Sequence, residues 1–268
     1  MTNYILIDGS YFCFFRYYAL LTWWKNAHAD DDINVPYENE SFVEKFKSTF
    51  ISKIKEIPKK LKIKDPKIII AKDCSRKDIW RMSEANDYKV NRVYDDTFMG
   101  GPFFKLAYDE LFASAVSTPP LYQDHLEADD CIAIATKCIL QMEPDANITI
   151  ITSDTDYLQL LKYDICIYTL KYKELKETKT YDGDPEKYLF CKILMGDKSD
   201  DITGVFKKCG PKTAEKCWED KEILEKKFDE EPGSRDKFEK NKKLISFNEI
   251  PEDLIKEFFK NNINKLKI

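Results

Sequence analysis

Whatever chemistry this chain performs falls to carboxylates, lysines or hydroxyls. It has 48 Asp and Glu but only two histidines, His28 and His125, which argues against a zinc site or a histidine general base. The acids are densest between His125 and Asp156, in the run HLEADDCIAIATKCILQMEPDANITIITSDTD. Glu127, Asp129 and Asp130 open a segment whose apolar residues (Cys131, Ile132, Ile134, Ala135, Cys138, Ile139) are spaced like one face of a helix. At about 100° per residue, Glu127 and Asp130 lie about 60° apart, whereas Asp129 is turned about 200° from Glu127. The three share a site only in the first helical turn, where the backbone still bends. A strand over 148–152 follows and runs into Ser153-Asp154-Thr155-Asp156. Acids at a helix start also complement the dipole and cap the helix, and Ser-Asp-Thr-Asp after a strand also suits an Asx turn. Both simpler readings weaken once the other acids are placed.

Tyr4-Ile5-Leu6-Ile7 and Lys67-Ile68-Ile69-Ile70-Ala71 are short apolar runs of the kind buried on both faces of a sheet. Together with 148–152 and a further strand at 165–170, and with helical segments between, they predict an α/β fold. Its central, mostly parallel sheet is flanked by helices. Asp8, Asp73 and Asp154 each stand just past the carboxyl end of a strand, the edge where open parallel sheets build their sites. Asp197 and Asp200 add a second acidic run at i, i+3. Asp8, Asp73, Glu127, Asp129, Asp130, Asp154, Asp156, Asp197 and Asp200 would repel one another unless neutralised, and hard oxygen donors suit Mg2+ or Mn2+. Two such ions about 4 Å apart clamp the attacking and leaving oxygens of a phosphodiester and generate a nucleophile from bound water. The residues alone therefore predict a two-metal phosphoryl-transfer enzyme.

Composition sets the frame. With 43% hydrophobic and 13% aromatic residues the chain is not disordered, and no run reaches the roughly 18 apolar residues of a membrane span. The first strand begins at Tyr4, which leaves no room for a signal peptide. Eight scattered cysteines, with no C-x-x-C pair, suit free thiols in a reducing, intracellular compartment. A net charge of −5 does not exclude nucleic acid, because acids gathered into one site coexist with lysine-rich faces elsewhere. Residues 10–24 are crowded with aromatics and predict a core helix with a few rings at the edge of a cleft. Asp30-Asp31-Asp32 reads as a solvated loop tip, and 40–62 has helical spacing ending near Pro58. The poorly periodic stretch 74–123 predicts a long, partly helical insertion. A short helix over 188–195 and small helices with Lys-rich faces over 203–268 complete the chain. The expected division is an α/β core over 1–185 and a helical region over 186–268.

Taken in order, the motifs resemble those of the 5′-nuclease family (flap endonucleases and 5′→3′ exonucleases), in particular its phage-type RNase H branch. They are Ile7-Asp8-Gly9; Asp73 with Trp80-Arg81; Tyr88-Lys89-Val90-Asn91-Arg92; Glu127-Ala128-Asp129-Asp130; Ser153-Asp154-Thr155-Asp156; and Gly196-Asp197-Lys198-Ser199-Asp200. Gly204-Val205 and Gly210-Pro211-Lys212-Thr213-Ala214 then look like that family's helix–hairpin–helix, so the match spans about residues 4–217.

The resemblance implies a PIN-like 5′-nuclease fold with a helical arch in the 74–123 insertion and a helix–hairpin–helix at 196–217. It places Asp8, Asp73, Glu127, Asp129 and Asp130 at the tighter of two Mg2+ or Mn2+ sites, directly or through water. Asp154, Asp156, Asp197 and Asp200 go to the second. Lys89 and Arg92, at the base of the arch, would hold the scissile phosphate and stabilise developing negative charge, with Asp154 as the third catalytic residue. Nucleic-acid contacts are implied for Arg81, Tyr88, Lys89, Arg92, Lys207, Lys208, Gly210, Lys212 and Thr213, and Tyr88 would stack a terminal base. The helix–hairpin–helix departs from the family pattern. Phe206-Lys207-Lys208-Cys209 separates Val205 from Gly210, and Asp201 stands where asparagine is usual. Duplex binding is therefore expected through direct lysine–phosphate contacts, and the potassium ion that often bridges this loop to the duplex is put in doubt.

The implied function is a metal-dependent, structure-specific 5′ nuclease that acts as a monomer on DNA flaps, nicks and ends, with RNA–DNA hybrids as further substrates, in replication or repair. One alternative is a PIN-type single-strand ribonuclease, which lacks counterparts of 74–123 and 196–214. The other is a non-catalytic binder of structured DNA, which has no need of all nine acids. Glu252 to Phe259 has a faint likeness to a sliding-clamp peptide, with Glu where Gln belongs, but its spacing predicts a buried amphipathic helix. Neither a clamp nor a single-strand-binding partner is readable.

Overall fold

The computed structural model of the chain describes residues 1–28, 33–91 and 97–266; Arg92 and the acidic tip Asp30-Asp31-Asp32 lie outside them. The four apolar runs form strands β1 (Asn3–Asp8), β2 (Lys67–Ala71), β3 (Asn147–Ile151) and β4 (Cys166–Tyr168), and β4 is shorter than the expected 165–170. They make one parallel sheet in the order β2-β1-β3-β4, with Asp8 beside Ala71 and Ile7 beside Ile151. In chain order the helices are α1 (Gly9–Ala27), α2 (Glu40–Leu61), α3 (Trp80–Glu84), α4 (Gly101–Leu106), α5 (Phe112–Ala115), α6 (Ala128–Met142), α7 (Pro185–Met195), α8 (Pro211–Glu219), α9 (Lys221–Glu230), α10 (Ser234–Ile245) and α11 (Glu252–Leu266). A π-helical turn, Ala107–Leu111, joins α4 to α5 into one rod over 101–115.

Strand alternation divides the core. Tyr4, Leu6, Ile69, Ile148, Ile150 and Ile167 face α6 and α11, whereas Ile5, Ile7, Ile70 and Ile151 face α1, α2 and the 101–115 rod. Phe42, Phe46, Phe50 and Ile54 recur every four residues along α2 and are fully enclosed on that second face. Truncating any one of the three phenylalanines to Ala would cost about 3–5 kcal/mol. α2 runs to Leu61 and closes at Lys62 with φ 56°, within the expected 40–62, and holds Pro58 in its last turn at the loss of one backbone hydrogen bond.

The 74–123 stretch is helical in part, as expected, but its second half is core rather than a loose excursion. Phe103 and Phe112 are fully buried, and Leu121 returns to pair with the end of β2. α7 and α8 pack together around Leu194, Val205, Phe206 and Ala214, and the 196–210 loop connects them. The apolar face of α11 is buried through Leu254, Phe258 and Leu266, as its spacing predicts. No helix among the described residues is long and apolar enough to cross a membrane.

Candidate metal centre and its cleft

Each strand end delivers an acid that also shapes the turn after it. Asp8 closes β1 and caps α1, accepting from the Tyr11 N–H at 2.9 Å. Asp154 follows β3 and caps a 3-10 run over Thr155–Tyr163, accepting from the Asp156 N–H at 2.9 Å. Glu127 and Asp130 form a capping box on α6. For these residues capping and site-building are one arrangement, since a cap turns the carboxylate towards the strand-end edge.

The nine acids sort into three positions. Asp8, Asp73, Glu127, Asp129 and Asp154 line one cleft of about 590 Å3, which Tyr11, Phe14, Tyr18 and Phe98 also line. Burial, and next the Asp73 carboxylate beside it, push Asp8 up to about 7. Burial likewise raises Asp73 and Asp154, and it raises Asp129 with help from Asp130 and Glu127. These four acids are held by hydroxyls and amides. Ser10 donates to Asp73 Oδ2, the Ala128 N–H to Asp73 Oδ1 at 2.8 Å, and the Tyr157 hydroxyl to Asp8 Oδ2 at 3.4 Å. A set of buried carboxylates short of counter-charge is the environment a divalent cation relieves. The donors are hard oxygens, as Mg2+ or Mn2+ prefers. The one thiol in the cleft, Cys74, is pushed up to about 12 by burial and stays protonated. The residues fit the expected ions.

Glu127 differs from its neighbours. Burial alone would raise it, but Lys89 Nζ at 2.6 Å and Arg81 Nη1 at 3.1 Å outweigh burial and hold it below the usual range. Lys89 also reaches Asp200, at 3.5 Å. Its backbone is left-handed, with φ 54°, and is pinned by the Asp200 carbonyl and by the Arg76 guanidinium. The second group stands beside the cleft: single carboxylate oxygens of Asp156, Asp197 and Asp200 lie within 4.8 Å of one another. Lys192 forms ion pairs with Asp156 and with Asp197, the latter at 2.9 Å. Against its burial, Lys192 and the Ser199 hydrogen bonds hold Asp197 at about 2.

Asp130 takes the third position, behind the cleft. It is 0% exposed, and its oxygens accept from Arg81 Nη1 and Nη2 at 2.8 and 2.7 Å and from Trp80 Nε1 at 3.0 Å. Two residues expected at nucleic acid are turned inward here. Arg81, 2% exposed, spends its guanidinium on Asp130, Glu127 and the Leu244 carbonyl. Tyr88, 3% exposed, has its ring in a core cluster and its hydroxyl on Glu127 and Asp200. Lys207, Lys208 and Lys212 are exposed around the loop before α8, and Gly210 caps that helix with Thr213 in its first turn. Sequence reasoning missed Ser10, Tyr157 and Lys192. Only Ser10 had a signal, as the first hydroxyl after Asp8-Gly9.

The family model described as the 5′-3′ exonuclease, N-terminal resolvase-like domain, matches residues 3–188. The chain belongs to this family. A 5′-3′ exonuclease of Bacillus subtilis is 34% identical over 148 residues, covering 52% of this chain and 48% of that protein. The ribonuclease H of phage T4 is 29% identical over 180 residues, covering 65% of this chain and 58% of that protein. The chain thus spans about half the length of these curated relatives. Among solved structures, the bacteriophage T5 flap endonuclease in a pseudo-enzyme–product complex with DNA and metal ions aligns with a TM-score of 0.68 at 18% identity. That alignment covers 99% of this chain and 100% of the other. A crystal structure of the same T5 protein with metal ions gives a TM-score of 0.67, also at 18% identity. This likeness shows the fold, and the expected parallel α/β sheet flanked by helices and the family stand.

Proposed function

We propose that this chain is a divalent-metal-dependent 5′ nuclease that hydrolyses phosphodiesters at 5′ ends, nicks and flaps of DNA, with the RNA of RNA–DNA hybrids as a second substrate. The observation that carries this reading is the cleft itself, lined by five carboxylates and four aromatic rings. Acids suited to metal ions and rings suited to unpaired bases meet where a strand end would enter. The relatives named as a 5′-3′ exonuclease and a ribonuclease H, and the T5 flap endonuclease solved with DNA and metal ions, support it.

In this reading a pair of Mg2+ or Mn2+ ions, when bound, activates water and neutralises charge on the phosphate. The chain's own residues do the rest. Asp8, Asp73, Glu127 and Asp129 hold the tighter site, and Asp130 orients Glu127 and Asp129 from behind. Asp154, Asp156, Asp197 and Asp200 hold the weaker one. Lys89 leaves Glu127 for the scissile phosphate when substrate enters, and Arg92 joins it. Lys207, Lys208 and Lys212 grip the duplex backbone through direct phosphate contacts. The physiological role is removal of primers or flaps in replication or repair.

The test is cleavage of a 5′-labelled flap duplex, with Mg2+ or EDTA, by the wild type and by Asp154→Asn. Metal-dependent cuts near the junction that vanish in the variant are expected. Intact DNA in every lane from folded protein that still binds the flap would replace this reading with a non-catalytic binder.

A further inference from the structure

The rod over 101–115 contains an irregularity that reaches the acids. Residues Ala107–Leu111 are wound as a π-helix, a form that is rare and frequent at functional sites. Tyr108 lies inside this turn. Its ring is held from two sides, by Phe112 with centroids 5.1 Å apart and by Lys72 Nζ 4.9 Å from the ring centre. Its hydroxyl is enclosed beside Ser10 without a hydrogen bond of good geometry, an unusual state for a buried polar group. Gly9 makes the approach possible. A Cβ at that position would come within 2.5 Å of both the Tyr108 hydroxyl oxygen and the Ala71 carbonyl oxygen.

Ser10 stands between this hydroxyl and the cleft. It donates to Asp73 Oδ2, while Oδ1 of the same carboxylate accepts from the Ala128 N–H at 2.8 Å. Both oxygens of Asp73 are thus oriented from behind, one by α6 and one by Ser10. A serine hydroxyl donates once and accepts as well, so Ser10 still has room for a donor on its far side. Tyr108 is the donor placed there.

We propose that Tyr108 is a positioning residue for the metal centre: its hydroxyl donates to Ser10 Oγ when Asp73 carries a divalent ion, completing a Tyr108–Ser10–Asp73 chain. This deepens the metal-dependent reading above and rests on it. Hydrogen bonds in such a chain polarise one another, and partners that orient a metal ligand from behind change affinity or activity by about 10–100-fold. The π-turn delivers the hydroxyl from the rod that closes the 74–123 insertion. Rewinding it to a regular α-helix would turn the parts of the rod before and after it relative to each other and shift the Tyr108 hydroxyl relative to Ser10. The register of the rod and the geometry of Asp73 are therefore linked.

The test uses Tyr108→Phe, Ser10→Ala and the double variant, with Mn2+ binding followed by calorimetry, melting followed in EDTA, and kcat and KM measured on a flap duplex. Tyr108→Phe keeps the ring and its packing, so in EDTA it melts at the wild-type temperature or above. It should bind Mn2+ about 10-fold more weakly, with kcat lowered and KM for DNA unchanged. In the Ser10→Ala background the same change should cost nothing further. Wild-type Mn2+ affinity in Tyr108→Phe, or losses that multiply in the double variant, would overturn the proposal. A wild type that binds Mn2+ but cleaves no 5′ end or flap would refute the nuclease reading alone, and the binding cycle would still decide the role of Tyr108.

Discussion

Arg81 and Asp130 form a two-point ion pair, with Nη1–Oδ2 and Nη2–Oδ1 separations of 2.8 and 2.7 Å, and neither side chain is more than 2% exposed. Removing one member leaves the other charged, buried and unmatched, which costs about 3–5 kcal/mol. Arg81→Met should therefore lower unfolding free energy by that amount in urea titration. A surface arginine that only touched nucleic acid would change stability by less than about 0.5 kcal/mol. A result in that smaller range would return Arg81 to the binding surface.

Lys192 stands among the second group of acids in the place an ion would take. It pairs with Asp156 and Asp197, and Asp200 is the third acid of that group. Lys192→Met leaves those acids repelling one another, so the protein in EDTA should lose about 1.5–3 kcal/mol, the usual worth of hydrogen bonds to charged groups. Saturating Mg2+ should then restore more stability to the variant than it adds to the wild type, because ligand binding to the folded state alone stabilises it. Thermal melts with and without Mg2+ measure both quantities. Equal Mg2+ shifts in the two proteins would mean that Lys192 substitutes for nothing.

The aromatic wall makes a different kind of prediction. Phe14 and Tyr18 project from α1 at i, i+4, remain 43% and 47% exposed, and line the same cleft as the acids. Phe14 keeps its orientation through a tilted contact with Phe98 at 5.2 Å and an edge contact with Phe104 at 4.6 Å. A ring that stacks an unpaired base contributes about 1–3 kcal/mol. Phe14→Ala should weaken binding of a duplex with a 5′ single strand by roughly 5–150-fold, in the range of that energy. Binding of a blunt duplex should barely change. Fluorescence anisotropy with the two substrates separates these outcomes, and equal losses on both would assign Phe14 to packing.

The strand ends were legible because each couples an unbroken apolar run to an acid, a pattern that survives without any knowledge of tertiary contacts. Asp8, Asp73 and Asp154 were located in this way, and the cleft they line follows from the parallel order of the strands. The direction in which a cation points was not legible. Arg81 and Tyr88 sit in motifs that resemble a nucleic-acid grip, yet both face inward, because Glu127 and Asp130 need partners once α6 buries them. Lys192 falls on a helix face that sequence cannot orient, and the π-turn at Ala107–Leu111 has no sequence signature. Short-range pattern finds the acids; which protein cation answers each acid is decided by packing between segments far apart in the chain.

Lys207, Lys208 and Lys212 are exposed at the end of the 196–210 loop and the start of α8. The loop is tied down on its other side, since the Lys207 N–H donates to Glu231 Oε2 at 2.9 Å. This leaves the lysine side chains, rather than the Lys207 amide, to meet a phosphate backbone. Each phosphate neutralised releases counterions, and the slope of log K against log salt changes by about 0.9 per contact on duplex DNA. Lys207→Ala/Lys208→Ala should therefore flatten that slope by about 1.8 on nicked duplex, while kcat at saturating DNA stays at the wild-type value. An unchanged slope would remove these lysines from the duplex contact and move the grip to the Gly210 end of α8.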